Sequence, residues 1–119
     1  MNSNYIRIED IDGYHEDAWC GQILRSRVVS ERNCDNFTAE IWVPVLEGQE
    51  KNSIATLSIE DGDPTMFNVV AGAPVQLRAP VKLRSGQELS FKIFCSNRIV
   101  GDGRDRRHLS FVLIGLSAD

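Results

Sequence analysis

Histidine and cysteine are scarce in this chain. His15 and His108 are the only histidines, and Cys20, Cys34 and Cys95 the only cysteines, none of them in a CxxC pair. A structural zinc site takes four close ligands, and these five residues supply no such spacing. No metal and no cofactor is therefore expected. The odd cysteine count reads as reduced, mostly buried thiols, with a Cys20–Cys34 disulfide the less favoured alternative. Long apolar runs are missing too: none approaches the roughly 18 residues a membrane span needs. The start, MNSNYIRIED, lacks a basic stretch followed by an apolar one, so no secretory signal is read and a cytoplasmic location is expected. Net positive charge is also absent. The formal charge is −4, which gives no global attraction for a polyanion, and a nucleic-acid partner is not expected. Helical periodicity, internal repeats and linkers are absent or nearly so.

What is present is strand alternation. Tyr5 to Glu9 alternates, as does Gln22 to Ser30, with Leu24 and Val28 on one face and Arg25 and Arg27 on the other. Phe37 to Val43 points Phe37, Ala39, Ile41 and Val43 one way and Thr38, Glu40 and Trp42 the other. Ser53 to Glu60, Thr65 to Val70, Val75 to Leu83 and Glu88 to Cys95 continue the pattern. Pro80 marks its strand as an edge or a bulge. Asp61-Gly62 supplies the positive φ values of a tight hairpin. His108 to Leu116 is the most apolar strand and is expected to be central and covered on both faces. The 119 residues then form one domain, 1–119, an all-β antiparallel sandwich of about eight strands. The one candidate helical turn lies near Glu16 to Trp19, and Glu40 and Lys92 belong on outer faces. Ten arginines stand against three lysines, and some of their planar forks are expected to be fixed to acids in the fold.

The stretch GYHEDAWCG, residues 13–21, concentrates aromatic and acidic groups. His15 beside Glu16 and Asp17 has the makings of an acid–base cluster, but neighbours in an extended segment point to opposite faces and converge poorly. A saccharide site is a second reading. An exposed Tyr14 or Trp19 would stack on the apolar face of a sugar while His15, Glu16 and Asp17 bond its hydroxyls, and Trp42 offers the same on its own strand. The favoured reading for Asp17 and Trp19 is structural: a buried indole with its N–H paired, and an acid just before it that caps the turn by accepting backbone N–H bonds. Asp105 and Arg107 sit two apart on one side of an extended segment, placed to pair with this turn, for example Asp17 with Arg107. The loop carrying Arg98, Arg104, Arg106 and Arg107 suits an anionic sugar or phosphate, or else a solvated loop with internal Asp–Arg pairs. Asp102 and Asp105 interleave it without aromatics, which disfavours nucleic acid. Asp61-Gly62-Asp63 lacks the further oxygen ligands of a calcium loop.

Two stretches together resemble a family. GYHEDAWCG and RIVGDGRDRRHLSFVLIGL are similar to the ends of the small jelly-roll β-sandwich domain associated with bacterial glycosyltransferases of polysaccharide synthesis. That family opens on an aromatic, an acid, Asp-Gly-Trp and a Gly, and closes on Asp-x-Arg-x-Leu before an apolar strand. Asp17 and Trp19 match the first pattern, with Ala18 where glycine is usual; Asp105, Arg107 and Leu109 match the second. The likeness runs over residues 11 to 116. It implies a jelly roll and a setting in cell-surface glycan metabolism, with transfer chemistry outside this chain.

The expected function is therefore a non-catalytic accessory module for carbohydrate or a glycosyltransferase partner. Its ligand-binding candidates are Tyr14, His15, Glu16, Asp17, Trp19, Arg98, Arg104 and Arg106; Asp17, Trp19, Asp105 and Arg107 are the structural set, and no catalytic residue is assigned. The alternative is an assembly protein that forms a homo-oligomer through a sheet face, suggested by the outward aromatics Trp42 and Phe94.

Overall fold

A computed structural model describes residues 2–99 and 108–119. The described residues form nine strands and no helix. They are β1 (Asn2–Asn4), β2 (Ile6–Tyr14), β3 (Trp19–Ser30), β4 (Cys34–Trp42), β5 (Asn52–Ile59), β6 (Thr65–Val70), β7 (Val75–Leu83), β8 (Glu88–Cys95) and β9 (Phe111–Ala118). Hydrogen bonds connect them in the order β6-β5-β8-β3-β9-β4-β7, with β2 on β3 and β1 on β9. Every pairing is antiparallel except the short β1–β9 pair.

The twelve-residue β3 serves two layers. Its stretch 23–29 pairs with β8, whereas Trp19 and Cys20 pair with β9. The front layer is thus β6-β5-β8-β3-β2, and the back layer is β7-β4-β9 with β1 and the start of β3. The result is a jelly-roll-type sandwich, nearly closed into a barrel where β5 comes near β7.

Burial follows the alternation. Leu24 and Val28 of β3, Phe37, Ala39 and Ile41 of β4, Ala55 and Leu57 of β5, and Leu89, Phe91 and Ile93 of β8 all turn inward and are fully or almost fully buried. The rings of Phe37 and Phe91 meet between the layers at 4.8 Å, tilted by 44°. Each such large side chain contributes about 1.5–3 kcal/mol by leaving water. Pro80 lies in β7, an edge strand where its missing N–H costs no ladder bond. Cys20, Cys34 and Cys95 are buried and free, so the Cys20–Cys34 bridge is not formed. Arg7 pairs with Glu9, Arg27 with Asp10 and Glu88, and Arg78 with Asp119.

Three expectations change, and one strand is added. The last strand spans Phe111–Ala118 rather than His108 to Leu116, and it is central but not covered on both faces. Phe111, Leu113 and Leu116 face the core, while Val112 and Ile114 remain partly open because no layer lies beyond them. The hairpin after β5 places its positive φ at Glu60 (53°) and Asp61 (59°), one residue earlier than Asp61-Gly62 implies. Two bonds to β8 hold that register: Glu60 N–H donates to the Ser90 carbonyl at 2.9 Å, and Ser90 N–H to Glu60 Oε1 at 2.8 Å. Residues 16–19 form a hairpin turn instead of a helical one. The added strand is β1, whose three polar residues carry no alternation signal.

Candidate functional site

The local chain path explains the first hairpin. A bulge between Asp12 and Tyr14 kinks β2, and Gly13 occupies it with φ +86°. A Cβ there would lie 2.1 Å from the Ile23 carbonyl oxygen, so only glycine lets the two backbones approach this closely. Beyond it the chain reverses. Ala18 N–H donates to the His15 carbonyl at 2.9 Å, and His15 N–H to the Trp19 carbonyl at 2.8 Å. Ala18 takes φ +72°, a left-handed conformation that glycine adopts without steric cost. Trp19 N–H donates to Asp17 Oδ1 at 3.3 Å, so Asp17 caps the turn.

The two stretches singled out in the sequence meet at one end of the sandwich. Ser110 N–H donates to the Cys20 carbonyl at 2.8 Å, and Leu113 N–H to the Ala18 carbonyl at 3.0 Å. Ile99 bridges Leu109, and Asn97 Nδ2 donates to the Ser110 carbonyl at 2.6 Å. Arg98 is exposed beside this bridge. Arg104, Asp105, Arg106 and Arg107 lie outside the described residues, and with them the Asp17–Arg107 pairing. Tyr14 and His15 are half-buried, while Glu16 and Asp17 are exposed. Tyr14 packs against the core. Burial raises its phenol pKa, reinforced by Cys20 and Asp17. Burial also pushes the Cys20 thiol up to about 12, which keeps it neutral. Among the described residues no group of three His, Cys, Asp or Glu is placed to hold a metal ion.

The strand register makes an arrangement that no single stretch announces. Trp19 of β3 and Trp42 of β4 both pair with Val112 of β9, from its two sides. Their chain neighbours Cys20, Ile41, Phe111 and Leu113 are buried inward. Trp19, Val112 and Trp42 therefore share one row on the outer face of the back layer, each half-buried. The chain has only two tryptophans, and both are here. Two strand spacings separate their backbones, roughly 9–10 Å.

Farther along the same strands and face lies a hollow of about 230 Å³, lined by Asn4, Thr38, Glu40, Gln76 and Ser117 among others. Gln76 Nε2 donates to Glu40 Oε2 at 3.3 Å. Aromatic faces thus border hydroxyl, amide and carboxylate groups on rigid strands. The turn carrying Glu16 and Asp17 leads directly into this row at Trp19.

No family model and no curated protein matches this chain. Solved structures do. A variant of the exo-β-1,3-galactanase from Phanerochaete chrysosporium, with β-1,3-galactotriose, matches at 13% identity and a TM-score of 0.50, over 92% of this chain and 26% of that one. The same enzyme with galactose matches at 13% identity and a TM-score of 0.45, over 92% and 25%. This chain thus spans about a quarter of that enzyme's length. The likeness is one of fold, a jelly-roll-type β-sandwich.

Proposed function

We propose that this chain is a non-catalytic carbohydrate-binding module whose site is the outer face of the back layer. The carrying observation is the Trp19–Val112–Trp42 row. Two indoles on one sheet face, two strands apart, offer two stacking surfaces to a chain of sugars, and rigid strands hold them at little entropic cost on binding. Glu40, Gln76 and Thr38 supply hydrogen-bonding partners for hydroxyls beside them. Glu16 and Asp17 do the same from the turn.

The fold recurs within a quarter of an enzyme whose name states action on β-1,3-galactan. Galacto-oligosaccharides therefore head the list of probes. On this reading the module tethers a polysaccharide to a glycan-processing partner, a glycosyltransferase in the setting the sequence resemblance implies. The test is a glycan array with wild type, Trp42→Ala and Tyr14→Ala. A shared neutral oligosaccharide ligand is expected, with binding weakened about tenfold or more by Trp42→Ala. Tyr14→Ala, at a core-packed position outside the row, is expected to bind normally if folded. No bound glycan, or one insensitive to Trp42→Ala, contradicts the reading.

A second reading rests on the front layer, where Ile23, Ile54, Met66, Val70 and Phe94 are all exposed on one outer face. Trp42 and Phe94 lie on opposite layers, so a single sheet contact uses only one of them. Self-association through the front face predicts a dimer that Phe94→Glu dissociates, measured by light scattering at micromolar concentration.

A further inference from the structure

The outer face of the front layer carries a groove remote from the tryptophan row. Two adjoining hollows of about 220 and 330 Å³ share Asp61 and Lys92 in their linings. Phe94 and Ile23, paired in register and 37% and 46% exposed, form its apolar floor. Thr56 and Ser58 add hydroxyls along β5, and the turn at Asp61-Gly62 forms a wall.

Three cations reach this groove, and they are not equivalent. Arg27 is occupied: its Nε donates to Asp10 Oδ2 at 2.7 Å, and Glu88 lies within 3.7 Å. Arg25 and Lys92 face each other directly across β3 and β8. Among the described residues neither side chain makes an ion pair or hydrogen bond. Asp12 lies opposite Arg25 on the β2 side without reaching ion-pair contact, and two further carboxylates line the groove, Asp61 and the Asp10 held by Arg27. Like charges directly opposite in a sheet are unfavourable. A ligand carboxylate between them removes that repulsion and satisfies both.

The wall is held in place by the hairpin and by β8. Glu60 and Asp61 both take left-handed backbone conformations without being glycine, and the Glu60–Ser90 bonds hold the turn over β8. These are the positive φ values of a tight two-residue hairpin turn, closed by Gly62 N–H donating to the Ile59 carbonyl at 2.8 Å. The turn places Asp61 in the lining of both hollows, with Lys92.

We infer that this groove is a second binding site, for an acidic oligosaccharide whose uronate carboxylate sits between Arg25 and Lys92. Phe94 takes the apolar face of the sugar ring, and Asp61, Ser58 and Thr56 take its hydroxyls. The module then binds glycan on two opposite faces, neutral on the tryptophan row and acidic here. This site does not depend on the tryptophan reading.

The experiment is calorimetric titration of the full chain with oligogalacturonate, with a neutral galacto-oligosaccharide and oligoglutamate as comparison ligands. Wild type, Arg25→Gln/Lys92→Gln, Phe94→Ala and Trp42→Ala are compared, each with its fold checked by circular dichroism. Oligogalacturonate is expected to bind wild type and Trp42→Ala alike, and about tenfold or more weaker to the double variant. Phe94→Ala weakens it too, and raising the salt from 0.05 to 0.5 M weakens it further, roughly as screening of exposed charges demands. Absence of binding, binding unchanged in the double variant, or oligoglutamate binding as tightly as oligogalacturonate overturns the inference.

Discussion

Gly13 and Gly86 share the same φ, +86°, yet their surroundings differ completely. A Cβ at Gly86 meets nothing within 4 Å, whereas one at Gly13 falls 2.1 Å from the Ile23 oxygen and 3.3 Å from Leu24 Cα. These are backbone atoms of β3, which cannot swing aside like the end of a side chain. Both alanine variants bear the left-handed strain of about 1–2 kcal/mol. Both regain about 0.4–1 kcal/mol from a less flexible unfolded chain. Gly86→Ala should therefore cost about 1 kcal/mol. Gly13→Ala adds the displacement of packed strands, about 1–3 kcal/mol, for a total near 2–4 kcal/mol. At roughly 4 °C per kcal/mol that is a Tm loss of about 8–16 °C against about 4 °C for Gly86→Ala. Urea and thermal unfolding followed by circular dichroism measure both. If the two variants lie within about 0.5 kcal/mol of each other, the close approach of β2 to β3 at the bulge is wrong.

Other outcomes follow from the same geometry. Ala18→Gly relieves a left-handed alanine and should raise stability by about 0.5–1 kcal/mol, read as a higher urea midpoint; a loss would contradict the turn conformation. The Cys20 thiol is held neutral up to about 12, well above its ordinary 9.0. In the unfolded chain it ionises first, so stability is intact below pH 9 and falls as pH rises toward 12, by up to about 1.4 kcal/mol per pH unit. Tyr14 shifts in the same direction. Cys20→Ala should flatten this alkaline decline, and an unchanged slope between pH 8 and about pH 10 refutes the assignment. Asp17→Ala removes the acceptor for Trp19 N–H and should cost about 0.5–2 kcal/mol by analogy with other caps; thermal neutrality would show that the turn does not need it.

Much of the fold was legible in the sequence because each strand alternates against a single core. Phe37, Ala39 and Ile41, or Leu89, Phe91 and Ile93, declare their inward face by period two alone. What alternation omits is register between strands distant in the chain. Trp42 is readable as an outward residue, whereas Trp19 reads as a buried, fold-setting one; their meeting across Val112 depends on β9 running between β3 and β4. Arg25 and Lys92 are likewise opposed only because β3 and β8 pair at that offset. The Glu60–Asp61 turn escaped because a side-chain bond to Ser90, thirty residues on, outweighs the local preference of Gly62 for positive φ. Asp17 was readable as the acid that caps the turn, whereas the left-handed backbone of Ala18 carries no signal in its own residue type.

The chain's two tryptophans are both in the proposed platform, so tryptophan fluorescence reports on that site alone. Titration of wild type, Trp19→Phe and Trp42→Phe with a panel of neutral oligosaccharides, galacto-oligosaccharides first, is the most direct measurement. The account predicts a saturable spectral change in all three proteins, with each indole responding when it is the only one left. A panel that leaves the emission of folded protein unchanged, or that binds without perturbing either indole, contradicts it.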